Sequence, residues 1–347
     1  MNRLALGCLT PLLLAGCTGL RAHAGAHYLA TGLYAIERYE ATITERGILR
    51  AAPEAEVVKR VHYGKLWRVR AEVLAPEEHA GELFVFDGST LSVWWPRFFF
   101  GLRVRNLEVP PRNEVGDAIL ANTHWLLERY DVDERETGRV AGRDVEEWVC
   151  TPDEALPFHY PYQASMDAHY HVPLRVDVQD HSGHPWYGMR FDAIDFEREL
   201  PPDAFAFEFP EGAVVHDWDL AAEGTTLEEA DRQTEFPVLV PAKLPPGHSL
   251  KKVLVSEQDD VHGVALIMNE RGRWLSLSEI PNMGPILVPE LGIPVAIGER
   301  EGILNFVFGF TVLSWSVDTT ALTLIGNLPY PELIEVAASV APAPKGD

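Results

Sequence analysis

Cysteine is scarce in this 347-residue chain, and positive charge is scarcer than negative. The three cysteines are Cys8, Cys17 and Cys150. Cys8 and Cys17 belong to an amino-terminal segment with the pattern of a processing signal, which leaves Cys150 alone in the body of the chain. A lone cysteine excludes an intramolecular disulfide, so packing must hold the fold. Cys150 lies in an alternating segment, residues 145–150, and reads as a buried thiol rather than a nucleophile. Lysine and arginine number 29 against 52 aspartates and glutamates, a formal net charge of -23. Such a surface repels phosphate backbones and anionic headgroups, which argues against nucleic acid as a partner. Long apolar runs are missing after residue 17. The densest patches, residues 94–100 and 303–315, are broken by Pro96, Arg97, Gly309 and Thr311 and fall short of the ~20 residues of a spanning helix. Catalytic signatures are missing as well: there is no Gly-x-Ser-x-Gly elbow, no phosphate-binding loop and no Gly-x-Gly-x-x-Gly after a strand. The chain reads as a non-enzyme with no cofactor.

At 46% hydrophobic and 23% charged, the composition is that of a folded globular protein. The length exceeds one ordinary core and implies two domains.

The amino terminus carries the clearest motif. Arg3 precedes an apolar run from Leu4 to Leu14, and the run ends in Leu14-Ala15-Gly16-Cys17, which reads as an export signal cut before Cys17. The pattern resembles the lipobox of bacterial lipoproteins. That resemblance implies removal of residues 1–16, acylation of Cys17 and a membrane-tethered protein outside the cytoplasm, with residues 17–26 as the tether. Two or more acyl chains hold a protein stably at a membrane. Thr18 stands where the resemblance places aspartate in lipoproteins kept at the inner membrane, which implies the outer one.

Period-two alternation dominates the body of the chain. Strands are predicted over residues 39–49, 56–63, 66–73, 82–86, 90–95, 143–150, 166–172, 174–179 and 187–196, with Asp87-Gly88 as a hairpin turn and Asp180 to Gly183 as another. Apolar positions at helical spacing predict helices over residues 27–39 and 117–130. An acidic stretch, residues 216–235, reads as a linker holding a short helix around Glu228, Glu229 and Asp231. The second domain, residues 236–340, shows further strands at 252–257, 261–268, 274–279, 294–297, 303–308, 311–317 and 321–325, and a closing helix at 331–340 that starts on proline. Residues 341–347 form a tail.

Several motifs in order carry a family resemblance. Phe86-Asp87-Gly88, Val93-Trp94-Trp95-Pro96, Leu200-Pro201-Pro202-Asp203-Ala204-Phe205 and Phe209-Pro210-Glu211-Gly212 together resemble the LolA-like fold, over residues 27–215. The order of the two domains resembles the RseB-type sensors that restrain an anti-sigma factor. Pro246-Gly247, Leu313-Ser314-Trp315 and Leu324-Ile325-Gly326-Asn327 look like a carboxy-terminal domain found behind such barrels. The resemblance implies an α+β class: a curved antiparallel half-barrel closed by helices, enclosing an apolar cavity for acyl chains, plus a second, smaller α+β domain. A tethered chain does not shuttle between membranes, so stationary binding or sensing is the expectation.

Two clusters compete as the site. The aromatic group Trp67, Phe84, Phe86, Trp94, Phe98, Phe99, Phe100 and Leu102 suits the lining or gate of an apolar cavity, which needs little polar chemistry. The expected partners are therefore a membrane, through Cys17, and a hydrophobic ligand or lipoprotein; the alternative is an envelope protein bound by an RseB-like module. His159, His169, His171, His181 and His184 lie close together, and His169 and His171 on a strand would share one face at a spacing open to metal. Without a HExxH or a cysteine pair they read as edge residues, and no metal is expected.

Overall fold

A computed structural model describes residues 36–49, 51–65, 68–107, 129–152, 160–258, 261–268, 274–281, 291–307 and 310–343. Cys17, the tether, Trp67, His159 and nearly all of the two predicted covering helices lie outside the described residues.

Alternation makes the first sheet. In β1 (Arg38–Arg46), Tyr39, Ala41, Ile43 and Glu45 are buried, and in β2 (Val57–Gly64) Val57, Lys59, Val61 and Tyr63 are. Tyr39 pairs with Tyr63 and Ala41 with Val61, so one face of the sheet is packed and the other carries charge. The meander continues through β3 (Arg68–Ala75), β4 (Leu83–Phe86), β5 (Leu91–Trp95) and β6 (Phe100–Arg105). A second meander runs through β7 (Tyr130–Val140), β8 (Arg143–Pro152), β9 (Tyr162–Asp167), β10 (Pro173–Gln179) and β11 (Pro185–Asp195). β1 pairs with β11 and joins the two meanders into one sheet of twelve strands, closed at the β6 edge by β12 (Val214–Asp219). β12 runs parallel to β6, whereas the sheet's other neighbouring pairs, such as β1 with β11 and β5 with β6, are antiparallel.

Residues 216–219, read from sequence as the start of a linker, are thus part of a strand. The acidic stretch continues into helix α1 (Leu227–Gln233), whose first turn is capped by the Thr226 hydroxyl accepting from Glu229 N–H at 3.1 Å. Beyond it lie β13 (Leu239–Pro241), β14 (Leu250–Gln258), β15 (Val261–Met268), β16 (Leu275–Pro281), β17 (Ile293–Ile297), β18 (Arg300–Val307), β19 (Phe310–Val317), β20 (Thr320–Gly326), α2 (Tyr330–Ala338) and β21 (Val340–Pro342). β14 to β20 form a seven-stranded antiparallel sheet in the order 14-15-16-20-19-18-17, and β13 pairs with β21.

The α+β expectation is overturned. The described residues are predominantly strand; their α-helices are α1 and α2, of 7 and 9 residues, and both pack on strands of the second sheet rather than closing the first. The physical reason is the period: Arg38 and Tyr39, expected at the end of a helix, already alternate in β1, and Tyr130 opens β7 rather than ending a helix. The first sheet is covered instead by β-structure and by an irregular strap, residues 200–213.

The two sheets share one continuous core, running from Ile36 and Val61 to Leu313 and Leu333. Gly292 N–H donates to Ile48 C=O at 2.7 Å, and Leu49 bridges Leu291. At the other side Trp218 of β12 packs with Leu254, Ala265 and Ile280 of the second sheet, over Gly263, where any Cβ would meet the indole. Among the described residues no helix is long and apolar enough to cross a membrane.

Candidate functional site

The aromatic run at β5 and β6 is divided by the pleat. Phe84 faces Val93, and Trp95 faces Phe100, all on the inner, core-forming side; the Trp95 and Phe100 rings lie 5.8 Å apart. Buried His216 of β12 packs on Phe100 at 5.4 Å. Phe86, Phe98 and Leu102 are half-buried against the same core, and the Arg97 guanidinium lies 5.2 Å over the Phe98 ring. Of the predicted lining residues, the structure therefore gathers Phe84, Phe86, Phe98, Phe100 and Leu102 on one side, with Trp95 among them.

Trp94 and Phe99 belong to the opposite side. Trp94 pairs with Leu83 and Gly101 on the outer face, under the strap. The strap crosses the sheet with Phe205 over Gly64 and Phe209 over Gly101, and a Cβ at either glycine would collide with the ring above it. Arg68 lies 5.0 Å over Phe205 and Arg103 4.9 Å over Phe209, while Arg70 donates to Ala206 C=O at 3.1 Å. Edge-to-face contacts join Trp94 to Phe209 at 6.0 Å and to Phe99 at 5.5 Å. Phe99 has a left-handed backbone (φ 49°) and is 45% exposed, an aromatic tip at the sheet's end.

The inner side also carries charge that was not singled out from the sequence. Glu45 and Lys59 form an ion pair with side chains 2% and 1% exposed, and Tyr187 O–H donates to the other Glu45 oxygen at 2.9 Å. Farther along, buried His79 and Glu82 meet through Nδ1 and Oε1 at 2.6 Å. Lys59 is opposite Val73 and Ile43, on the inner phase of the sheet. The signal was available: Glu45 continues the apolar phase Tyr39-Ala41-Ile43, and Lys59 interrupts Val57-Val61, so alternation alone sends both inward.

Among the described residues, the histidines of that cluster do not form a joint site. β9 ends at Asp167, earlier than expected, and residues 168–170 are a turn rather than strand, followed by His171 at φ 54°. Asp167 organises that turn, accepting from His169 N–H at 2.9 Å, Tyr170 N–H at 2.7 Å and the Arg143 guanidinium. Burial pushes the Asp167 carboxyl up, but these hydrogen bonds outweigh it and hold the group below its ordinary range. Burial lowers His171. His181 packs on Tyr160 at 5.1 Å, and His184 is 80% exposed beside Asp180. Among the described residues no three His, Cys, Asp or Glu side chains are grouped to hold a metal ion. Cys150 is buried.

Comparison with known proteins places this geometry. Residues 104–208, from β6 to the strap, match the family described as the MucB/RseB N-terminal domain. The chain thus has the LolA/RseB-like fold that its motifs resemble. A crystal structure of MucB aligns with 16% identity and a TM-score of 0.46 over 92% of this chain and 98% of that one. The complex of Pseudomonas aeruginosa MucA and MucB aligns with 15% identity and a TM-score of 0.42 over 92% and 97%. An uncharacterised protein of Methanocaldococcus jannaschii is 23% identical over 182 residues, covering 50% of this chain. The alignment spans about half (52%) of that curated relative's length.

Proposed function

We propose that the chain is an exported envelope protein, tethered by lipid on Cys17, that binds a hydrophobic ligand on the inner side of its first sheet and performs no catalysis. The observation that carries the reading is the one-sided gathering of Phe84, Trp95 and Phe100 with half-buried Phe86, Phe98 and Leu102 at their rim. An apolar wall with a few buried polar pairs suits acyl chains or another lipid-like ligand. Trp94 and Phe99, on the outer face, are set apart from that wall. The test is uptake of a fluorescent fatty acid by delipidated protein: Leu102→Asp abolishes uptake while the circular dichroism spectrum stays native, and unchanged uptake overturns the reading. The tether is tested separately, by mass analysis of the mature amino terminus and its loss of lipid in Cys17→Ser.

A second reading, favoured by the family match over residues 104–208, is an RseB-like module that binds an envelope protein and takes no lipid. MucB has been crystallised with the periplasmic part of MucA. Native mass spectrometry after gentle purification separates the two: co-purified lipid supports the first, and an empty chain supports the second.

A further inference from the structure

Where the connector enters the second sheet, two consecutive amides are each taken by a different carboxyl. Val238 N–H donates to Asp231 Oδ1 of α1 at 3.0 Å, and Leu239 N–H donates to Glu279 Oε2 of β16 at 2.8 Å. Val238 and Leu239 are 0% and 2% exposed, and Leu239 begins β13, the strand that closes on β21. The same segment is stitched elsewhere by Thr225 N–H to Val253 C=O at 2.8 Å and by Lys252 Nζ to Leu220 C=O at 2.9 Å. The clamp at Val238 and Leu239 is thus one of the ties that seat the stretch from α1 to β13, beside Ala343 N–H to Val238 C=O at 2.9 Å.

Glu279 has no exposed surface, and its Oε1 has no hydrogen-bond partner among the described residues. In register it lies between Val264 of β15 and Leu322 of β20, with Leu277 next on its own face. Asp231 on α1 is the charge that acts on it; α1 also carries Glu228, Glu229 and Arg232, which pair with one another, β14 carries Lys251, Lys252 and Glu257, and β15 carries His262, which meets Glu257 at 4.0 Å, whereas β13 and β20 present only apolar or hydroxyl side chains. Lys252 Nζ is taken by Leu220 C=O and Arg232 by Glu228 and Glu229, and among the described residues Glu279 has no ion-pair partner to balance a second carboxylate beside Asp231. A carboxyl so placed is held neutral: burial above all, then the Asp231 charge, raise it to about 8 against the pull of the Leu239 hydrogen bond.

We propose that Glu279 is a proton-gated clamp: in its neutral form it seats the connector on the second sheet, and on ionisation it releases the segment from α1 to β13. Ionisation strengthens the Leu239 hydrogen bond, but it puts a charge without an ion-pair partner in an apolar pocket next to Asp231, which outweighs that gain, and the low-cost relief is to let that segment move out and water in. The device couples the connector between the two sheets to the pH outside the cytoplasm.

Hydrogen exchange of the purified full-length protein tests it, read on peptides spanning residues 228–241 from pH 6 to 9 and corrected for the intrinsic pH dependence of amide exchange. Protection of the wild-type segment is expected to fall as the pH rises from 6 and to level off above about 8, by about tenfold in all between pH 7 and 9, whereas Glu279→Gln stays flat. A wild-type profile without the drop, or a Glu279→Gln profile that falls in step with it, overturns the proposal. Should Glu279→Gln fail to fold, Asp231→Asn keeps the clamp's acid and removes its neighbouring charge, so the midpoint moves to lower pH; a drop that stays where it was overturns the proposal equally.

Discussion

Lys59 and Glu45 are ion-paired across neighbouring strands with side chains 1% and 2% exposed, among the apolar side chains of the core, such as Ile43, Val57, Val61 and Val73. The phenol of Tyr187, from β11, completes the group, so three strands of the first sheet meet at one buried charge pair.

Breaking that pair from one side strands a buried charge. Lys59→Met is expected to destabilise the protein by about 3–5 kcal/mol, and the double variant Lys59→Met/Glu45→Leu by far less, because both charges then disappear together. Urea unfolding of the two variants checks the difference; equal losses would falsify it.

The strap rests on glycine at two places, and Gly101 is the tighter. Gly101→Val is expected to push Phe209 off the sheet and cost about 1–3 kcal/mol, with new proteolytic cuts within residues 200–213. Phe209→Ala should open the same cuts without any change at residue 101. Limited proteolysis with mass mapping reads both.

The Glu279 carboxyl gives stability a pH dependence of known sign. Its pKa is raised in the folded protein, from 4.5 to about 8, so the folded state keeps a proton that the unfolded chain has lost. The contribution is fully present below about pH 4.5 and is lost as the pH rises to about 8, on the order of 5 kcal/mol across the window. Glu279→Gln should flatten that slope in chemical denaturation measured at several pH values, and a slope identical to wild type would count against the assignment.

Thr226 caps α1 through its hydroxyl, and Thr226→Ala is expected to cost about 1 kcal/mol. Thermal melts of the variant, compared with Thr226→Ser, which keeps the hydroxyl, give the check.

Much of the fold was legible because strands advertise themselves twice, by alternation and by their turns. Asp87-Gly88 between Phe86 and Leu91 is the hairpin read from the sequence, and Asp180 accepts from Ser182 and His184 N–H in the turn between β10 and β11. β6 was missed because Arg103 and Arg105 alternate with Leu102 and Val104 just beyond a proline, which reads as loop until Asp217 and Asp219 of β12 supply their partners. β12 itself was hidden by acidity: its Asp217 and Asp219 look like linker until paired. The helical periodicity of residues 27–39 misled at its end, since Leu, Ile and Tyr at mixed spacings satisfy either period over one turn. At the candidate site, composition found the aromatics but not their sides; only the register, Trp94 opposite Gly101 and Trp95 opposite Phe100, separates the wall from the strap.

The parallel strand β12 bears on how the chain reaches this structure. It pairs Val214–Asp219 with Phe100–Arg105, so the edge of the first sheet waits for a segment made more than a hundred residues after its neighbour. Such a distant pairing has a high loop-closure cost and forms late. Because Trp218, on that strand, is also the side chain over which Leu254, Ala265 and Ile280 pack, this side of the contact between the two sheets is complete only once the first has received its last strand. A lesion in β6 is therefore expected to be felt beyond its own sheet, as loosened packing of Leu254, Ala265 and Ile280 on Trp218.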